Sequence, residues 1–438
     1  MSTARTVLGP ALIYVVANVL TAAIPLLLLP LFTRVLSPED YGRIAMFGVV
    51  VQLLGALAGL SVHGAIGVRF FDRETIDFPR FVGSCLAVLA GSLLVVLVVV
   101  AAALPLLETF TKLPGHWLLI AVAVSGANFV VQSQLAIFQS AAQPLRFGAL
   151  RLTQASLDLG LSMILVLGIG LAWQGRAAGV ALAAAVAATL ALAMMRSGGW
   201  LRLPGTRDYA AQAIKFGLPL VPHAIGGLLI ASVDRFMITN ILDVGSAGIY
   251  LVAVQIGLVL NLITDAGNRA FAPWLMRSLK QHDPDHDLMV VRLTYLGFGI
   301  LIILGLAMGL AAPTALAFLV GEQFRSAGSV VIYITMGQAF GGMYYLVTNY
   351  VFFAGKTGKL AAVSLTSGLL NIGLSYVLLT TRGLEGAAQA FMAAQLLLFL
   401  GTWSLAARTH PMPWNLQRRS QRGVAQPRPA AVPKPSEH

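Results

Sequence analysis

The chain has 438 residues, of which 58% are hydrophobic and 11% charged, with a net charge of +12 and a mean hydropathy of +0.82. Soluble domains carry roughly 25% charged residues, so this chain has too few charges to cover a water-facing surface of its size. That excludes a soluble enzyme, a disordered protein and a collagen-like fibre, and the single cysteine, Cys85, excludes an internal disulfide framework or a cysteine-based zinc site.

Twelve apolar segments follow one another, at about 8–32, 43–65, 82–106, 117–140, 152–173, 177–195, 216–241, 248–271, 292–319, 328–353, 360–380 and 384–407. At 1.5 Å per helical residue each spans a hydrocarbon core of about 30 Å. None shows the alternating pattern of roughly ten residues expected of a β-barrel. The first is too long for a signal-peptide core. The prediction is an all-α polytopic membrane protein with twelve transmembrane helices in two six-helix lobes. The lobes cover 1–196 and 215–407, joined by a cytoplasmic linker over 197–214. The basic, proline-rich tail, 408–438, is predicted to be disordered.

With the N-terminus inside, 21 of the 29 Lys and Arg residues fall on the cytoplasmic side and 6 outside. This asymmetry predicts that both termini are cytoplasmic. It also accounts for the basic balance without a nucleic-acid partner. An internal repeat lies at an offset of 206 residues: Leu36-Ser37-Pro38-Glu39-Asp40-Tyr41-Gly42 falls on Leu242-Asp243-Val244-Gly245-Ser246-Ala247-Gly248. Both stretches follow a long apolar helix and open the next. The halves start on the same side, so they form a parallel repeat about an axis along the membrane normal.

Polar groups inside apolar helices are the informative positions, because a charge near the bilayer centre costs on the order of 2.5–3.5 kcal/mol on insertion scales. The seventh segment carries Asp234 and Arg235, either a charge pair near the interface or part of a cavity. The eighth carries Asp265 and Arg269 at i, i+4 spacing, on one helical face. They either neutralise one another and reach the interface, or line a cavity that draws an anion from the cytoplasm. At the repeat offset Arg269 corresponds to His63, with Arg69 nearby. Gln154 and Asp158 share a face of the fifth segment. Asn128 and Gln132 lie in the fourth, Gln338 in the tenth and Asn371 in the eleventh. Such groups serve as interhelical bonds or as cavity lining for sugars. Pro25 in the first segment and Pro219 and Pro222 in the seventh are predicted to loosen the helices and gate a central cavity.

Three suggestive patterns carry no chemistry. Gly355-Lys356-Thr357 lacks the upstream glycine of a phosphate-binding loop. The run from His282 to Asp287 reads as a solvated loop rather than a metal site. Glu39 and Asp40 read as helix capping rather than an acid pair. No cofactor or metal is predicted.

Helix 1 and its exit, with Pro25, Pro30, Phe32-Thr33-Arg34-Val35 and Leu36 to Gly42, resemble the opening of the Wzx-like polysaccharide flippases of the multidrug/oligosaccharidyl-lipid/polysaccharide exporter superfamily. So do Phe216 to Pro222, Asp234-Arg235-Phe236, Gly248-Ile249-Tyr250, Gly321 to Phe324 and Gly383 to Ala388. The similarity runs from about residue 8 to 407. It implies a non-enzymatic transporter of undecaprenyl-diphosphate-linked oligosaccharides from the inner to the outer leaflet of the bacterial inner membrane, for O-antigen (lipopolysaccharide), capsule or exopolysaccharide. Implied partners are that lipid-linked oligosaccharide, membrane lipid, and polymerase and chain-length machinery. The resemblance carries the diphosphate role to Arg269 and Arg235, and the repeat sets His63, with Arg69 nearby, alongside. Coupling or cavity roles fall to Asp265, Asp158, Asp234 and the amides named above. A cation-coupled multidrug or metabolite antiporter is the alternative. The first helix has no acidic residue before Glu39, which counts against it. A membrane glycosyltransferase would need a longer outside loop.

Overall fold

The computed structural model describes residues 2–279 and 284–416, which form fourteen α-helices and no strand. In order these are α1 (Ser2–Val35), α2 (Pro38–Leu57), α3 (His63–Arg69), α4 (Phe78–Ala102), α5 (Leu104–Thr111), α6 (Gly115–Ser140), α7 (Pro144–Met163), α8 (Ala172–Ser197), α9 (Arg207–Gly217), α10 (Leu220–Ile241), α11 (Val244–Ser278), α12 (Pro284–Leu319), α13 (Gly328–Phe353) and α14 (Thr357–Thr409). Ten spans are long and apolar enough to cross a membrane. The 22-residue α10 adds another crossing. At 53 residues, α14 would run about 80 Å if unbroken, far more than one crossing needs. Gly383, at φ 61° and ψ −141°, divides it in two. The chain is therefore a multi-pass membrane protein of twelve crossings in two six-helix lobes.

The repeat is written in the caps. Ser37 caps α2 through a reciprocal box with Asp40, with both bonds at 3.1 Å. At the repeat offset Asp243 caps α11, accepting from the Ser246 amide at 2.7 Å. These caps satisfy amides that have no helical partner at the start of each crossing, and they settle the role of Asp40. Pro38 and Pro144 open α2 and α7 at the first position, where a missing N–H costs nothing.

Several expectations change. The second crossing ends early: α2 stops at Leu57, and Gly59, Leu60 and Ser61 take left-handed φ values of 67°, 49° and 58°. Gly59 is required there, since a Cβ would fall 2.2 Å from the Phe129 ring. Its amide bonds to Ser92 Oγ at 2.8 Å. The linker is not an open connection. It contains α9, which packs on α4 and α3, and the Thr206 amide bonds to Ser84 at 2.9 Å. Pro219 is the N-cap of α10 and Pro222 lies in its first turn, so neither kinks the interior of the seventh crossing. The start of the tail folds back. Tyr295 donates to the Trp414 carbonyl at 2.6 Å, and Met412 is buried. Residues 417–438 of that tail, and His282 and Asp283 of the acidic loop, lie outside the described residues.

Candidate functional site

The turns before α2, α6, α8 and α11 lie at one end of the bundle, the far end; α9 and residues 410–416 lie at the other. Between the lobes, in the half toward the far end, is a cavity of about 630 Å³. Pro25 and Phe32 of α1 and Tyr41 and Gln52 of α2 form one wall, with Arg176 of α8. Ser232, Asp234 and Arg235 of α10, Gln255 and Asn261 of α11, Gln338 of α13 and Gln395 of α14 form the other.

The charges here are largely compensated. Asp158 of α7 holds Arg176 in a bidentate pair, with Oδ2 3.2 Å from Nη2, and Ser162 Oγ sits 2.7 Å from Arg176 Nη1. Asp234 is buried and accepts from Tyr250 Oη at 2.5 Å and from the Arg235 amide at 2.8 Å. Asn261 donates to Gln338 at 3.3 Å. Ser232 Oγ, Gln255 Oε1 and Arg235 Nε are buried with no hydrogen-bond partner among the described residues. An unmet buried polar atom costs roughly 1–3 kcal/mol, so these three are sites where a polar ligand gains bonds. Five amides, Gln52, Gln255, Asn261, Gln338 and Gln395, stand in the lining and suit hydroxyl-bearing ligands.

A second cavity, of about 300 Å³, lies closer to the α9 end, between α1, α7 and α11. Asn18 and Thr21 of α1, Arg151 of α7, and Asp265 and Arg269 of α11 line it. Arg269 Nε is 2.9 Å from Asp265 Oδ2, and both side chains are about half exposed. The pair and the cavity lining, read from the i, i+4 spacing as alternatives, are both present. Arg151 is half buried, and its Nε has no partner among the described residues. Two arginines against one aspartate leave this cavity cationic.

The structure brings Arg269 and Asp265 together with Arg151, and Arg235 and Asp234 together with Arg176. It places His63 and Arg69 in neither lining. His63 packs edge-on against Phe129, with ring centroids 5.5 Å apart. Arg69 pairs with Asp72 at 3.1 Å and bonds Gln212 of α9 at 3.1 Å. Gln154 donates to Asn128 at 3.2 Å, away from both cavities. Gln132 is exposed on α6. Asn371 is buried and accepts from Ser375 at 3.4 Å. Pro25 and Gln338 line the main cavity.

Sequence reasoning missed Arg151 and Arg176 by assigning both to loops. Each lies inside a helix, and a hydropathy window trims a helix at its first charge. Their positions, within one helical turn or two of a capping proline or a tight turn, were the available signal. Gln52, Gln255 and Gln395 carried no signal separating them from other amides.

A family described as "Polysaccharide biosynthesis protein" matches residues 8–279. A protein of the Lsg locus of Haemophilus influenzae is 23% identical over 385 residues, covering 84% of this chain and 90% of the relative. Among solved structures, the lipid II flippase MurJ in an inward closed conformation superposes with a TM-score of 0.74 at 14% identity, covering 90% of this chain and 87% of that one. An inward-facing multidrug resistance MATE family transporter of the MOP superfamily gives 0.64 at 14% identity, covering 90% and 94%. The fold is thus shared with that flippase and with that transporter of the MOP superfamily.

Proposed function

The chain belongs to the polysaccharide biosynthesis protein family, and from that premise we propose that it flips a polyprenyl-diphosphate-linked oligosaccharide from the inner to the outer leaflet of the bacterial cytoplasmic membrane. The Lys/Arg asymmetry puts the α9 end in the cytoplasm and the far end outside. One observation carries the reading: the two cavities lie in series along the same two helices. On α11 the neutral, amide-rich cavity ends at Asn261, and the cationic one runs from Leu262 to Arg269. On α1 the cationic cavity takes Asn18 to Ala22 and the other begins at Pro25. From Arg269 to Gln255 is about 21 Å of helix, a track for a charged headgroup followed by sugars.

The diphosphate sits against Arg269 and Arg151, and the sugars take the amides of the outer cavity, with Arg235 beside them. The polyprenyl chain stays in lipid. A diphosphate does not cross hydrocarbon unaided because ion desolvation is prohibitive, so a polar passage through alternating access is the entire service. Of the acids, Asp158 is held by Arg176 and Asp265 by Arg269. Asp234 on the cavity wall is therefore the coupling candidate. Helix α1, Ser2–Val35, carries no acidic residue, which favours this reading over a cation-coupled antiporter. The translocated units would feed a polymerase acting outside.

Reconstitution in liposomes with a polyprenyl-diphosphate oligosaccharide, scored by exposure to an impermeant glycosidase, tests this. Protein-dependent exposure is expected, falling about tenfold in Arg269→Ala and in Arg151→Ala, since a charge-assisted bond is worth about 1.5–3 kcal/mol. No protein-dependent exposure overturns the reading.

A further inference from the structure

At the far end the two lobes are joined by contacts that come in pairs. Gly42 of α2 and Gly248 of α11 cross so closely that a Cβ on Gly42 would lie 1.8 Å from the Val244 carbonyl oxygen, and one on Gly248 2.0 Å from that of Pro38. The two glycines are separated by the repeat offset. Arg34, at the end of α1, donates through Nη2 to the Phe318 carbonyl of the C-terminal lobe at 2.9 Å. Asn240, at the end of α10, donates through Nδ2 to the Phe110 carbonyl of the N-terminal lobe at 2.9 Å. Arg34 and Asn240 are separated by the same offset. Each lobe therefore offers the other a close-packed glycine and a polar strap, the arrangement of an isologous interface built within one chain. Along α11 these contacts precede the cavity-lining residues, and along α2 they flank the first of them, Tyr41, so they stand at the far end of the cavity. Gln323, donating to the Leu36 carbonyl at 2.8 Å, reinforces one side.

We propose that this crossing is a two-fold symmetric latch that seals the cavity from the outer face and opens as a unit, so that loosening either lobe's half shifts the same equilibrium. The latch does not depend on what is transported. Its sidedness rests on the orientation proposed above.

The test uses accessibility as well as transport. In a Cys85→Ala background, Gln52→Cys reports on the cavity through an impermeant maleimide, applied to spheroplasts and to inverted vesicles. Arg34→Gln and Asn240→Ala alter exposed side chains and so leave folding intact. Each is expected to raise labelling from the outer face severalfold, by similar factors, with the double variant giving their product. A rise confined to inverted vesicles keeps the latch and reverses the orientation. Unchanged labelling, or a rise in one variant alone, overturns the symmetric latch. Independently, a Cβ on Gly245 lies 3.6 Å from that of Pro38, within the disulfide range of about 3.5–4.5 Å. Oxidised Pro38→Cys/Gly245→Cys is expected to cross-link and to abolish outer-face labelling and transport until reduced. Transport that survives the cross-link, or a pair that never cross-links, overturns the latch.

Discussion

The second crossing of each lobe starts alike and ends differently. Both α2 and α11 open on a capped turn and pass a glycine at the lobe contact. Seventeen residues beyond that glycine, the N-terminal lobe has Gly59 and the C-terminal lobe, at the repeat offset, has Asp265. Gly59 turns left-handed against Phe129, the helix breaks, and His63 starts a new short helix beneath that ring. In α11 the helix continues, so Asp265 and Arg269 stay in register and reach the second cavity. The pair of arginines that enters the sixth and twelfth crossings diverges in the same way. Arg176 is drawn into the bundle by Asp158, whereas its counterpart Arg382, with Ser364 at the repeat position of Asp158, bonds Gln389 at the surface. The repeat preserved the scaffold, and single substitutions assigned the chemistry to one lobe or the other.

The largest contrast is expected at the arginines. Arg176→Ala leaves Asp158 without its cation and should cost about 3–5 kcal/mol. Arg382→Ala should stay within about 0.5 kcal/mol. Thermal unfolding in detergent measures both, and equal effects would break the comparison. Next comes the repeat position itself. Gly59→Ala meets strain and a ring collision of about 1–3 kcal/mol each, partly relieved by Phe129→Leu. Asp265→Ala removes half of an exposed pair worth less than about 1 kcal/mol. The third contrast is functional: Arg269→Ala should lower flipping about tenfold with little loss of stability, whereas His63→Ala should leave flipping within about twofold. A tenfold loss in His63→Ala would restore it to the headgroup site. The smallest effects belong to the two amide pairs. Asn128→Ala and Asn261→Ala should each cost about 0.6 kcal/mol of helix association. Only Asn261→Ala should change transport, because only its pair faces a cavity.

The readable part of the molecule was local. Composition and run length determined a helical membrane protein of twelve crossings. The offset repeat foretold that residues 36–42 and 242–248 would open matching helices, and i, i+4 spacing foretold that Asp265 and Arg269 share a helical face. Each follows from covalent geometry, the 1.5 Å rise and 3.6-residue turn of one helix.

Tertiary structure alone decided which polar groups meet. Arg176 finds Asp158 from a position that hydropathy read as loop. Arg151 joins Arg269 from a helix over a hundred residues away. His63 loses its expected cavity because Gly59 fits against Phe129, a contact between crossings that no spacing encodes. The reason lies in the solvent. In water a helix shows its buried face by its apolar stripe, but in lipid both faces are apolar. Sequence therefore determined where these helices lie along the membrane normal, and packing decided which side of each looks inward.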